Sequence, residues 1–382
     1  MARSGGNKTL CTSIITPWPN VYYTRNFTAK AFVSHNTSVA KGYLAEIDML
    51  PKIRFKTLLT PELTPLFSAN EDELMENLGI ITSILDGKGY ISHSGAHGRR
   101  GYHGNYMFTW VGAAVDIPYR VHKLLATLGP KLYFFRLPFK EKTDQELSDC
   151  MNENFEKKRK QVQDAVIDYL MWFEICPKLI EDKESGLLKM QWDSEKDDTK
   201  AKENLMNLGK LLARLRGHVD IWSSKQHEYS EYAYSFTQTE DPTRAITQLY
   251  NLARGQALLI GRNYITMEDI PIAVKVVLST ASIERIAVMD LLLAKGGHIT
   301  LSQIAKTLSM SKSTALKTMT ELAALKMVDK DDDFEVEFNN TKEIRLRPEF
   351  EGLLSEEFAK LREGFSPIDN SEYNNEAKQY TL

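Results

Sequence analysis

Three short apolar runs alternate with helical periodicity across the first 140 residues: Leu58-Leu59, Met107-Phe-Thr-Trp-Val-Gly112 and Leu132-Tyr-Phe-Phe135. Runs this short read as buried strands, while Leu74, Leu78, Ile81 and Leu85 recur at helical spacing across 72–85. Strands that alternate with helices are joined by crossovers and so line up side by side. The chain is therefore expected to open with an α/β core over 1–140, a largely parallel sheet with flanking helices.

The period changes after Pro138. From 141 to 283 it is helical, with helices expected over 154–174, 204–216, 241–260 and 267–278, so this segment is read as all-α. The charged, weakly hydrophobic stretch 181–202 is expected to be an exposed loop or insertion. Residues 284–350 give three helices, 285–294, 300–308 and 312–325. The third carries Ala315, Leu316, Met319, Leu322 and Leu325 on its inner face. Two alternating strands follow, Phe334–Phe338 and Glu343–Leu346, joined around Asn339-Asn340. Three helices and a hairpin describe a winged helix-turn-helix. Residues 351–382 are expected to begin as a helix and continue as a disordered polar tail.

No stretch approaches the roughly 18 unbroken apolar residues of a membrane helix, and the N-terminus lacks the apolar core of a signal peptide. The expectation is a cytoplasmic protein with no membrane partner. Cys11, Cys150 and Cys176 form no Cys-x-x-Cys pair, which excludes a zinc ribbon and a redox motif and leaves packing as their expected role. A formal net charge of −3 excludes a general polyanion binder, so any nucleic-acid contact must be local.

Ser4-Gly5-Gly6-Asn7-Lys8-Thr9 is similar to the end of a phosphate-binding loop. In such a loop glycines let backbone N–H groups close around phosphates, a lysine meets the β/γ-phosphates and a threonine hydroxyl holds Mg²⁺. Ala2 and Asn7 occupy the two glycine positions of the full pattern, and the strand that feeds the loop would lie before Met1, so the core is expected to be incomplete there. A flexible N-terminus is the other reading of the same residues. Lys56-Thr-Leu-Leu-Thr-Pro-Glu62 is an apolar strand that ends in a carboxylate, as a hydrolase uses to orient and deprotonate water. Pro61 stands where a metal-side aspartate is usual, leaving Mg²⁺ to Thr9 and waters. A solvated strand end is the alternative for Glu62.

Loop, strand with glutamate, helix 72–85, Asp86-Gly-Lys-Gly89, a Gly/His/Arg-rich segment, strand 106–111 and Gly129–Pro138 together resemble an AAA+ ATPase core of the branch that holds the MoxR-type ATPases and minichromosome-maintenance helicases. The segment from Glu240-Asp-Pro-Thr-Arg244 to Ile270 resembles the lid of that branch, so the likeness covers about 1–280. It implies ATP and Mg²⁺ as cofactors, with Gly5, Gly6, Asn7, Lys8 and Thr9 around the phosphates and Glu62 acting on water. It further implies Arg244 as a sensor of the γ-phosphate and Asp116, or Thr109, as the first sensor. Lys131 or Arg136 is implied as the finger given to a neighbouring subunit, and hence a homo-oligomeric ring.

The segment His93–His103 matches the hairpin before the first sensor, and its Arg99 and Arg100 with Tyr102 would meet phosphates and a base. A zinc site of His93, His97 and His103, or a plain surface loop, are the alternatives. In the winged helix, Lys312, Ser313, Thr314 and Lys317 stand where a recognition helix contacts DNA. Residues 285–348 nevertheless hold ten Lys/Arg against nine Asp/Glu, and Asp329–Asp333 opens the wing. Function is expected to be that of a DNA-associated AAA+ ATPase, with a catalytically inactive AAA+-like regulator of DNA as the alternative.

Overall fold

The run at Leu58-Leu59 becomes the middle strand of a three-stranded parallel sheet. A computed structural model describes residues 1, 8–34, 43–94, 98–129, 131–137, 142–149, 151, 154–175, 179–181, 188–224, 231–330 and 342–363. It divides into a first unit, 1–131 with 139–190, and a second, 132–138 with 191–382.

In the first unit the strands are Val21–Tyr23 (β1), Thr57–Thr60 (β2), Gly89–Ser94 (β3), Gly98–His103 (β4), Thr109–Gly112 (β5), Leu179–Glu181 (β6) and Leu188–Met190 (β7). The sheet runs β1-β2-β5, with Leu58 opposite Tyr22 on one side and Trp110 on the other. Leu58 and Leu59 are fully buried, as expected of a strand covered on both faces. Helix Glu71–Ile84 covers part of this core. Asn70 Oδ1 accepts the Glu73 N–H at 2.9 Å, three acids complement the dipole of the first turn, and Leu74, Leu78, Ile81 and Ile84 point inward. Burying each such leucine or isoleucine contributes about 2 kcal/mol. The unit is thus mixed α/β, as the alternation predicts.

The second unit is built on helices Thr199–Leu215, Pro242–Leu259 and Ile270–Val277, which share one core with helices Ile283–Ala294, Leu301–Thr307 and Lys312–Ala324. It also holds strands His218–Ser224 (β8) and Glu231–Gln238 (β9), which pair antiparallel, and His298–Thr300 (β10), Val328–Lys330 (β11) and Glu343–Leu346 (β12), which form an antiparallel sheet in the order β10-β12-β11. Arg285 anchors the C-terminal helices from within. Its Nε donates to Glu321 Oε2 at 2.6 Å and its Nη1 to the carbonyls of Leu215 and Gly217 at 3.1 and 2.6 Å. Arg362 ties the last helix, Glu356–Arg362, to Asp290 at 2.6 Å.

Several expectations are corrected. The segment 141–283 is not all-α, because β6-β7 and β8-β9 are hairpins within it. Helix Asn154–Glu174 groups with the first unit, whereas everything from 191 onward forms the second. Residues 132–135 join no sheet: the Phe134 and Arg136 N–H groups donate to the hydroxyls of Thr280 and Ser279, both at 3.0 Å, so hydroxyls take the place of a neighbouring strand. The charged stretch 181–202 is not a loop throughout. Asp198 accepts the Ala201 N–H at 3.0 Å and starts a helix there, and charged residues hold its outer face while Ala201 and Leu205 are buried. Cys11 is exposed rather than packed, because helix Lys8–Ser13 buries none of its residues.

Strand Phe334–Phe338, Cys150, Cys176 and the tail from 364 lie outside the described residues; among the described residues Glu343–Leu346 pairs with both Val328–Lys330 and His298–Thr300. Among the described residues no helix is long and apolar enough to cross a membrane.

Candidate functional site

The parallel register sets Thr60 opposite Gly112, so the chain leaves β2 and β5 at the same edge. Ligands of open α/β sheets sit at the carboxyl ends of the strands; Glu62 lies two residues beyond the end of β2 and Asp116 four beyond the end of β5. Two backbone bonds lock the exits together: Ala113 N–H donates to the Thr60 carbonyl at 3.1 Å and Leu63 N–H to the Ala113 carbonyl at 2.7 Å. Trp110 Nε1 donates to the buried Thr60 hydroxyl at 3.2 Å. Gly112 packs closely on Leu63: a Cβ there would lie 2.5 Å from Leu63 Cδ1 and the leucine would have to shift.

Glu62 is half-buried. Its Oε1 accepts both the N–H and the hydroxyl of Thr64, at 3.0 and 2.5 Å, at the start of helix Thr64–Phe67. That carboxylate therefore has a local role in satisfying a helix end, beside any chemistry. Asp116 is exposed in the connection that leads to helix Tyr119–Leu128. Thr109 opens β5 rather than ending it.

Of the phosphate-loop residues, Gly5, Gly6 and Asn7 lie outside the described residues. Lys8 and Thr9 open helix Lys8–Ser13, and Thr12 Oγ1 donates to the carbonyls of Lys8 and Thr9 at 3.2 and 3.1 Å. Thr9 is exposed. Among the described residues no group of three or more His, Cys, Asp or Glu is placed to hold a metal ion.

The hairpin β3-β4 divides its two arginines. Arg99 stands exposed opposite His93. Arg100 instead reaches Asp48 Oδ2 at 3.4 Å, where Tyr102 also donates its hydroxyl at 2.8 Å, while Oδ1 accepts the Ser34 N–H at 2.9 Å. Asp48 is only 1% exposed, so Arg100 supplies its countercharge. Burial, then the bond to Asp48, raises the Tyr102 pKa far above its usual value. Gly101 makes the hairpin possible: its φ is +135° and a Cβ would lie 2.0 Å from the Tyr90 carbonyl oxygen. His93 and His103 are exposed; His97 lies outside the described residues.

Lys131 is drawn inward. Its Nζ donates to the Thr82 carbonyl at 2.7 Å and meets Asp86 at 2.5 Å, neutralising the C-terminal end of helix Glu71–Ile84. Arg136 is half-buried in the second unit.

Arg244 is exposed in the first turn of helix Pro242–Leu259, which Asp241 caps by accepting the Thr243 N–H at 2.8 Å. Beside it lies an ion pair that sequence reading did not single out. Buried Arg216 donates from Nε to Glu240 Oε1 at 2.6 Å, and its guanidinium stacks on the Tyr133 ring at 4.9 Å. Burial lifts the Glu240 carboxyl above its ordinary pKa against the opposing charges of Arg216 and Arg244, and burial likewise lifts Tyr133. The available signal was local: Arg216-Gly217 ends one apolar helical pattern and Glu240 directly precedes the Asp241-Pro242 start of another.

Lys312, Ser313 and Thr314 are exposed at the N-terminal end of helix Lys312–Ala324. Ser311 Oγ caps it, accepting the Thr314 N–H at 3.1 Å, and lies 2.9 and 2.8 Å from the hydroxyls of Ser313 and Thr314. Lys317 is half-buried, 4.0 Å from Glu321 Oε1.

Compared with models of known protein families the chain matches none, and no curated protein matches it.

Proposed function

We propose that this chain is a nucleotide-binding protein of the AAA+ type that acts on DNA. The observation that carries the reading is the parallel order β1-β2-β5 with Glu62 and Asp116 following the carboxyl ends of neighbouring strands. That is where a carboxylate and a polar sensor are needed around a phosphoryl group. Lys8 and Thr9 would hold the phosphates, and bound ATP with Mg²⁺ would supply the transferable phosphoryl group. Mg²⁺ keeps several waters and needs few protein oxygens, so the phosphates with Thr9 would hold it. Glu62 would orient and deprotonate water. Arg244 stands exposed in the first turn of its helix, and its planar guanidinium would suit a phosphate contact. Lys131 or Arg136 as a finger, and the ring that a finger in trans needs, belong to the same proposal.

The C-terminal helices with the sheet β10-β12-β11 support a winged-helix reading. Lys312, Ser313 and Thr314 would contact a DNA backbone there, with Lys317 restrained by Glu321. On the hairpin, Arg99, which is exposed, would be the one to reach nucleic acid, since Arg100 is paired with Asp48.

A second reading is favoured by the bonds of Glu62 to Thr64: a carboxylate spent on a helix end fits an AAA+-like regulator that binds DNA without hydrolysing ATP. Steady-state turnover with Mg²⁺ separates the two. Hydrolysis that falls by about 10²-fold or more in Glu62→Gln supports the ATPase. Folded protein with no turnover, with or without DNA, supports the regulator.

A further inference from the structure

Helix Asn154–Glu174 is 21 residues long, yet none of its described side chains is buried. Polar bonds fasten one face to the segment before β1: Arg159 Nη2 donates to Ser13 Oγ at 3.2 Å, Gln163 Nε2 donates to the Ser13 carbonyl at 3.0 Å, and Asn20 donates to Glu174. A different face carries Phe155, Lys158, Val162, Ala165, Tyr169 and Trp172, spaced alternately by three and four residues. This is the spacing of a coiled-coil seam. Phe155 is 38% exposed, Val162 51% and Trp172 51%, while the Tyr169 ring leans on Trp172 with centroids 5.7 Å apart.

Charge along the helix is uneven. Lys157, Lys158, Arg159 and Lys160 outnumber the single acid Glu156 in its N-terminal third, whereas Asp164, Asp168 and Glu174 occupy the remainder. A parallel partner of the same sequence would set lysine against lysine. An antiparallel one sets each basic end against an acidic end, which makes the face complementary to itself under a two-fold axis.

We propose that this face pairs with the same helix of a second copy, antiparallel and centred between Gln163 and Asp164. That register sets Phe155 against the partner's Trp172, Val162 against the partner's Ala165, and Lys158 over the partner's Tyr169 as a cation–π contact. The seam is about 30 Å long, short for a permanent dimer, so the pair is reversible and concentration-dependent. It is independent of the nucleotide reading and differs from a ring, whose contacts are head-to-tail and do not close under a two-fold.

Sedimentation equilibrium of the full chain over a range of concentrations tests it. Expected is a monomer–dimer equilibrium that Val162→Glu abolishes with the far-ultraviolet circular dichroism unchanged. Two charge-reversed variants, Lys157→Glu with Lys158→Glu and Asp164→Lys with Asp168→Lys, are each expected to be monomeric and to form a mixed dimer when combined. Overturning results are a monomer at every concentration, a dimer indifferent to Val162→Glu, or failure of the two variants to combine. Equally contrary is a monomer that binds phosphatidylserine vesicles through this helix, which would assign the face to a membrane surface.

Discussion

Arg285 and Glu321 meet at 2.6 Å inside the second unit, each with a side chain 5% exposed, and the same guanidinium holds the carbonyls at the end of helix Thr199–Leu215. The pair therefore joins three helices at one point. Removing one member strands a buried charge, so Arg285→Met is expected to cost about 3–5 kcal/mol. Arg285→Met combined with Glu321→Leu should recover a large part of that loss. Chemical denaturation of the single and double variants checks it, and equal stability of both would show that the charge itself does not matter.

Tyr102 gives a pH dependence of known sign. Its phenol has a usual pKa of 10.0 that is raised in the folded chain, chiefly by burial and then by Asp48. Above the unfolded value the folded state retains a proton the unfolded state has lost, so stability declines as pH rises through 10. Tyr102→Phe is expected to be less stable near neutrality by about 1 kcal/mol, having lost a bond to a carboxylate, and to show a flatter alkaline decline. Thermal melts from neutral to alkaline pH report both effects.

Gly101 and Arg99, two residues before it, can be tested together. Gly101→Ala places a Cβ against the Tyr90 backbone at a φ of +135°, so the hairpin that presents Arg99 should be disrupted. Loss of nucleic-acid affinity in Gly101→Ala and in Arg99→Ala, measured by fluorescence anisotropy, is expected if the hairpin contacts substrate. Affinity unchanged in both would remove it from the interface.

Lys312 and Lys317 differ in the same assay. Lys312→Ala should weaken binding across sequences and reduce the slope of affinity against salt by about one. Lys317→Ala should do less, because Glu321 lies 4.0 Å from its ammonium. An equal effect of both would contradict the restraint by Glu321.

Local periodicity made much of the fold legible. Helix Asn154–Glu174 has the expected ends, and Leu58-Leu59 forms the central strand, because each signal lies within one element. The hairpin β8-β9 was obscured although Tyr232, Tyr234 and Phe236 alternate, because helical patterns flank it and it lacks a tight-turn dipeptide. Residues 132–135 carry a strand composition, but their backbone partners are hydroxyls some 146 positions away, which no local pattern announces. Sequence separation also hid one internal ion pair in each unit. Asp48 with Arg100 and Arg216 with Glu240 join residues whose proximity only tertiary folding creates. Glu62 was legible as a strand-end carboxylate, whereas its bonds to Thr64 depend on the turn that follows.

Nucleotide binding is the claim on which the rest of the functional account depends. Calorimetric titration of the full chain with ATP in the presence of Mg²⁺, repeated with Lys8→Ala, tests it most directly. Saturable one-site binding that Lys8→Ala weakens by tenfold or more, about 1.4 kcal/mol, is the predicted result. Folded protein that binds no ATP, or binds it equally well without the Lys8 ammonium, would contradict it.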